Sequence, residues 1–183
     1  SELLGLTRKD TKDPAKKIIA ATHTAEFSVR FGRKVRNLIA STDYKNIFPN
    51  VSLKADSKAA GRWDVSGGGE YFAVGVGGAM TGRGADLLII DDPHSESAGI
   101  NPSIDYFDGV YEWYSSGPRQ RLQPGGSIII VMTRWHDSDL TGQILTASNE
   151  RRGSDKWEVI ELPALYDDGE PLWPDFWSKE ELD

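Results

Sequence analysis

At 183 residues the chain has the length of one domain, or of one domain with an appendage, and can bury a hydrophobic core unaided. The absence of cysteine excludes a disulfide scaffold, a thiolate metal site and cysteine catalysis. The net charge of −7 argues against a small, uniformly basic nucleic-acid binder. The charge is uneven, with nine Lys/Arg against four Asp/Glu in residues 1–40 and four against ten in 151–183, which reads as solvated faces and a polar tail ahead of a DNA-facing surface. No apolar run approaches a membrane span, and SELLGLTRKD lacks the layout of a signal peptide, so a cytoplasmic setting is expected.

The first strand is predicted at Lys17–His23, after a Pro/Lys/Asp-rich loop. A helix follows, with Thr24 as N-cap and Phe27, Phe31, Val35 and Leu38 at helical spacing among basic residues. Residues 50–65 read as irregular or as short strands. Ser66-Gly67-Gly68-Gly69 reads as a hairpin turn feeding a strand over Glu70–Val76. Leu87-Leu88-Ile89-Ile90-Asp91 is a continuous apolar run, expected to be a central strand buried on both faces. Ser103 is expected to cap a helix carrying Ile104, Phe107, Tyr111 and Tyr114. After a Pro-Gly-Gly turn, Ile128–Met132 is expected to be another buried strand. Asp137 or Ser138 should cap a helix with Leu140, Ile144 and Leu145 on one face, and Trp157–Leu162 is a candidate last strand. Beyond Pro163 the pattern is that of an extended segment, with tryptophans that should pin it down. Alternating strands and helices point to an α/β fold with a largely parallel sheet.

Three stretches carry chemistry. In open α/β sheets ligands bind at the carboxyl ends of strands. The first stretch, Leu87–Pro93, ends a hydrophobic strand in two carboxylates, Asp91 and Asp92. One can hold Mg²⁺ and the other can orient an attacking water, as in the Walker B strand of a nucleotide hydrolase. The plainer reading is that Asp suits strand ends and turns. The second stretch, Val131–Asp137, also follows a strand: the Thr133 hydroxyl can sense a terminal phosphate, and Arg134 can pair with phosphate or carboxylate. Spacing alone favours a structural ion pair for Arg134. In the third, Gly77–Gly84, Arg83 stands between two glycines and could be delivered to an anionic site, or could simply lie in a connecting loop. No Gly-Lys dipeptide occurs, so there is no Walker A loop.

The sequence resembles the large terminase subunit of tailed bacteriophages, the motor that packages DNA into proheads. The resemblance is carried by Lys17–Phe27, Thr81–Pro93, Met132–Leu140, Leu162-Pro163-Ala164 and Pro171–Pro174. It implies a P-loop NTPase-like fold of the additional-strand class: a mostly parallel sheet flanked by helices, here without the Walker A segment. It implies ATP and Mg²⁺ as cofactors, with Asp91 as metal carboxylate. Asp92 falls where many relatives carry the catalytic Glu, with Glu96 as a fallback. Thr133 falls in the coupling motif, with Arg134 beside it at the nucleotide, and Arg83 is the candidate arginine completing a site in its own or a neighbouring subunit. It further implies action on double-stranded DNA, a small terminase subunit and a portal protein as partners, a homo-oligomeric ring, and the cytoplasm of an infected bacterial host. Residues 1–162 are then expected to be part of an ATPase domain and 163–183 a segment leading toward a nuclease domain. The Walker A loop is expected to precede residue 1, leaving this chain inactive alone.

Two other readings compete. One is a metal-dependent hydrolase or nuclease using Asp91, Asp92, His94 and His136. The other is a non-catalytic assembly or DNA-contact module.

Overall fold

The computed structural model describes residues 13–100, 103–150 and 155–182. The chain forms two compact units, Ser1–Thr146 and Ala147–Asp183.

The first unit is built on six strands: β1 (Lys17–Thr22), β2 (Leu53–Ala59), β3 (Arg62–Val65), β4 (Glu70–Gly75), β5 (Ala85–Asp91) and β6 (Leu122–Val131). Their order across the sheet is β2-β3-β4-β1-β5-β6. β4, β1, β5 and β6 run parallel, while β3 is antiparallel to both β2 and β4. The helices up to residue 150 are α1 (Ala25–Ala40), α2 (Thr42–Ile47), α3 (Glu96–Ile100), α4 (Ile104–Ser116) and α5 (Leu140–Glu150). The α/β architecture anticipated from the alternating pattern is therefore present.

Thr24 caps α1, its side chain accepting from Phe27 N at 3.4 Å, as the sequence suggests. The helix nevertheless turns an unexpected face to the sheet. Its buried residues are Ser28, Gly32 and Ile39, whereas Phe27, Phe31, Val35 and Leu38 are 41–59% exposed. Small residues win the inner face because they let the helix approach the strands closely. A Cβ on Gly32 would stand 2.7 Å from the Tyr71 ring and 2.8 Å from the Ala60 carbonyl oxygen. The Gly32 carbonyl accepts from Trp63 Nε1 at 3.1 Å, and Trp63 stacks on Tyr71 with ring centroids 4.9 Å apart. Burial pushes the Tyr71 hydroxyl up to about 12. The Ser28 hydroxyl bridges two parallel strands, donating to Ala20 O at 2.7 Å and accepting from Val74 N at 3.1 Å. Ile39, Trp63, Val65 and Tyr71 make the core on this side.

The β3–β4 turn is the glycine hairpin read from the sequence: Val65 N donates to Gly69 O, and Gly68 takes a φ of 93° that favours glycine. β4 and β5 are joined by residues 76–84, which contain no helix and turn through Gly77 and Gly82. Because β4 and β5 are parallel with β1 between them, this loop returns the chain to the amino ends of the strands.

Two strands are less buried than their apolar content suggests. β5 buries Ala85, Leu88 and Ile90, but Leu87 and Ile89 are only half-buried. β6 is the sheet edge, and none of its residues is buried. Both were expected to be covered on two faces. For β6 the difference is its place at the edge, since no further strand lies beyond it among the described residues. Ser103 occupies the N-cap position of α4 but makes no side-chain capping bond.

In the second unit Trp157–Leu162 is irregular rather than a strand. A turn through Gly169 is closed by Tyr166 N donating to Glu170 O and by an isolated bridge between Leu165 and Pro171. Trp173 stacks on Phe176, which meets Trp177 edge-on, before the short α6 (Lys179–Leu182). Trp173 is 60% and Trp177 47% exposed.

Candidate functional site

The carboxyl ends of β1, β5 and β6 lie side by side. Asp91 ends β5 in register with Val131 of β6. The backbone ladder continues one residue further on both sides: Asp92 N donates to Val131 O at 2.9 Å, and His23 N donates to Asp92 O at 3.1 Å. Asp92 has a φ of 43°, the left-handed region, which Asp tolerates better than most residues. That turn presents two successive carboxylates at one strand end. Asp92 is exposed and Asp91 half-buried. Burial, with Asp92 alongside, pushes the Asp91 carboxyl above the usual carboxylate range.

An uncompensated pair of this kind suits a hard divalent cation, which would relieve both the desolvation and the like-charge contact. Mg²⁺ is commonly held by one or two carboxylates plus water and phosphate oxygens, without an all-protein cage. Asp91 fits that role. Among the described residues no group of three or more His, Cys, Asp or Glu side chains comes together as a metal site. The four-ligand set of Asp91, Asp92, His94 and His136 is therefore not assembled. One nitrogen of each imidazole is engaged elsewhere: His94 Nε2 accepts from Leu140 N at 3.0 Å, and His136 Nδ1 accepts from Ser138 N at 3.0 Å.

Thr133 is exposed, two residues past the end of β6, on the same edge of the sheet as Asp91. Arg134 is held in place: Nε donates to Asp139 Oδ2 at 2.9 Å and Nη2 to His136 O at 3.3 Å, with half of its side chain exposed. The structural ion pair considered for Arg134 is thus present. Glu96 is exposed, at the start of α3, five residues beyond Asp91.

Arg83 lies at the other end of the sheet. Its Nη1 donates to Glu70 Oε1 at the amino end of β4, and its guanidinium carbon stands 4.1 Å from the centroid of the Phe72 ring. Burial lowers its pKa. Asp91 is the last of the seven residues of β5, six steps from Ala85 at the amino edge, about 20 Å at ~3.3 Å per residue. Arg83 therefore does not reach Asp91 within its own chain, and that form of the arginine-finger expectation is corrected. The helix-free loop, by returning the chain to the amino ends of the strands, places Arg83 there.

The organising residue that the sequence reading missed is Asp139. It is fully buried. Oδ2 accepts from Arg134 Nε, Trp135 N at 3.0 Å and His136 N at 3.3 Å, while Oδ1 accepts from Thr141 Oγ1 at 3.1 Å and Gly142 N at 2.9 Å. Burial raises the Asp139 pKa, but these bonds, Gly142 first, outweigh it and bring the carboxyl below its ordinary range. Asp139, not Asp137 or Ser138, is the N-cap of α5. Its signal was its place immediately before the first apolar residue of the helix.

Among the described residues no helix is long and apolar enough to cross a membrane. No protein-family model matches the sequence, and no curated protein is found to be similar to it.

Proposed function

We propose that this chain is the ATPase portion of a phage terminase large subunit, with a P-loop NTPase-like sheet of the additional-strand class, and that its nucleotide chemistry takes place at the carboxyl ends of β1, β5 and β6. The observation that carries the reading is the half-buried Asp91 beside Asp92 at the end of a strand flanked on both sides by parallel neighbours. This is the position at which open α/β sheets bind ligands.

In this reading Asp91 holds Mg²⁺ and Asp92 orients the attacking water. When bound, the cation supplies charge neutralisation at the transferring phosphoryl group. Thr133 offers a hydroxyl to the terminal phosphate. Arg134, neutralised in part by Asp139, shapes the loop and leaves half of its side chain available to an anion. Glu96 is the reserve carboxylate should Asp92 prove too short. Arg83 serves a neighbouring copy, since it is remote from Asp91 in its own chain. A Gly-rich loop supplying backbone donors to the triphosphate completes the site from outside residues 1–183. Double-stranded DNA, the small subunit, the portal, a ring of copies and the host cytoplasm follow from the resemblance and stand or fall with it.

The test is Asp91→Ala in a form that carries a Walker A loop ahead of Ser1. Hydrolysis should be abolished with the circular-dichroism spectrum unchanged. Undiminished turnover would refute the assignment of Asp91.

A further inference from the structure

Two cross-links tie the segment after β5 to the segment after β6. One is the backbone bond from Asp92 N to Val131 O. The other is a side chain: His94 Nε2 accepts from the N–H of Leu140, the first residue of α5. Both His94 and Leu140 are buried. The two bonds bracket residues 132–139, the stretch that contains Thr133, Arg134 and Asp139.

His94 is suited to this by chemistry that few residues share. Accepting at Nε2 requires a neutral imidazole with its proton on Nδ1. The ring is also wedged. It meets Phe107 of α4 edge-on at 5.1 Å and 81°, and Phe107 stacks on His136 at 5.4 Å and 13°. Tyr106, next to Phe107, accepts from Ser95 N at its hydroxyl, 3.3 Å away. Buried Pro93 joins Asp92 to His94 along the chain, and the His94 hydrogen bond reaches the start of α5. There Asp139 holds Arg134.

We propose that His94 is a positioning residue that couples a cation held at Asp91 to the Thr133–Asp139 loop, through its hydrogen bond to Leu140. This rests on the reading of Asp91 as the cation carboxylate. Coupling of this kind is reciprocal, so cutting the link should also weaken cation binding.

The experiment is nuclear magnetic resonance on the whole chain with Mn²⁺ and Mg²⁺ alone as probes. Mn²⁺ should broaden the amide signals of Asp91 and Asp92. Mg²⁺ should shift the Leu140 amide and the Arg134 Nε–H. In His94→Phe, which keeps a ring beside Phe107 and removes the acceptor, broadening at Asp91 should persist. The shifts at Leu140 and Arg134 should vanish, and the Mg²⁺ Kd should rise about fivefold, the low end of usual coupling. His94→Gln, which restores an acceptor, should recover both. In the wild-type chain the His94 Nε2 resonance should move on Mg²⁺ addition, which tests the link even if His94→Phe does not fold. Broadening at Asp91 with shifts that survive His94→Phe, or a stationary Nε2 resonance, would overturn the role of His94 alone. No broadening at Asp91 in the wild type would overturn the cation reading and the proposal with it.

Discussion

Replacing Asp139 with alanine removes a buried carboxylate that accepts five hydrogen bonds. On the Oδ1 side the loss is an N-cap, about 1 kcal/mol. On the Oδ2 side the N–H groups of Trp135 and His136 lose a charged acceptor, a further ~2 kcal/mol given that water reaches part of this loop. The Arg134 pair adds little because half of that side chain is exposed. The sum is about 3 kcal/mol, which at an m-value of ~2 kcal/mol/M moves a urea midpoint by ~1.5 M. Asp139→Asn separates the two sides. Its oxygen can cap α5, but its amide would face the donors that Oδ2 now serves, so about two thirds of the loss should remain. The sign of the pH dependence follows from the lowered carboxyl of Asp139. The part of its stabilisation that depends on ionisation is present above the ordinary carboxylate pKa and is lost as the pH falls through the native value, so the gap between wild type and Asp139→Ala should narrow in strong acid. A loss below ~1 kcal/mol, or an Asn variant equal to wild type, would refute this account of the loop.

Gly32→Ala should cost about 1–3 kcal/mol by forcing α1 off the Tyr71 ring and the Ala60 carbonyl, read as a lowered melting temperature. Ser28→Ala should cost about 1–3 kcal/mol, because Val74 N–H and Ala20 C=O lose the hydroxyl that joins them, and hydrogen exchange at Val74 should accelerate. Asp91→Asn should raise the urea midpoint in chelator at pH 7 while abolishing divalent-cation binding. A raised carboxyl pKa penalises the fold above that pKa, and the penalty disappears as the pH falls through it, so the gain should shrink toward acid.

The glycine hairpin, the Thr24 cap and the β5 strand ending in Asp91 were legible because each depends on local chemistry: φ > 0 at Gly68, a side-chain acceptor before a helix, an apolar run meeting carboxylates. What was not legible depended on neighbours. The Phe27, Phe31, Val35 and Leu38 stripe has the period of a core face, but period alone cannot reveal that Ser28 and Gly32 permit closer packing. Ile128–Val131 is as apolar as an interior strand, but its place at the sheet edge, where Ile128–Ile130 are half-buried and Val131 is exposed, is not written in those residues. Asp91 and Val131 could be suspected of adjacency from their similar strand contexts. Arg83 could not be placed, because its position depends on the β4–β5 loop running back across β1 without a helix. The role of Asp139 was hidden by two better-looking cap candidates just before it.

The most direct test of the central claim is calorimetric titration of Mg·ATP into this chain and into a form extended upstream by a Walker A loop. The account predicts binding by the extended form only, lost in Asp91→Ala. Binding by the short chain alone, or binding by the extended form that is indifferent to Asp91, would contradict it.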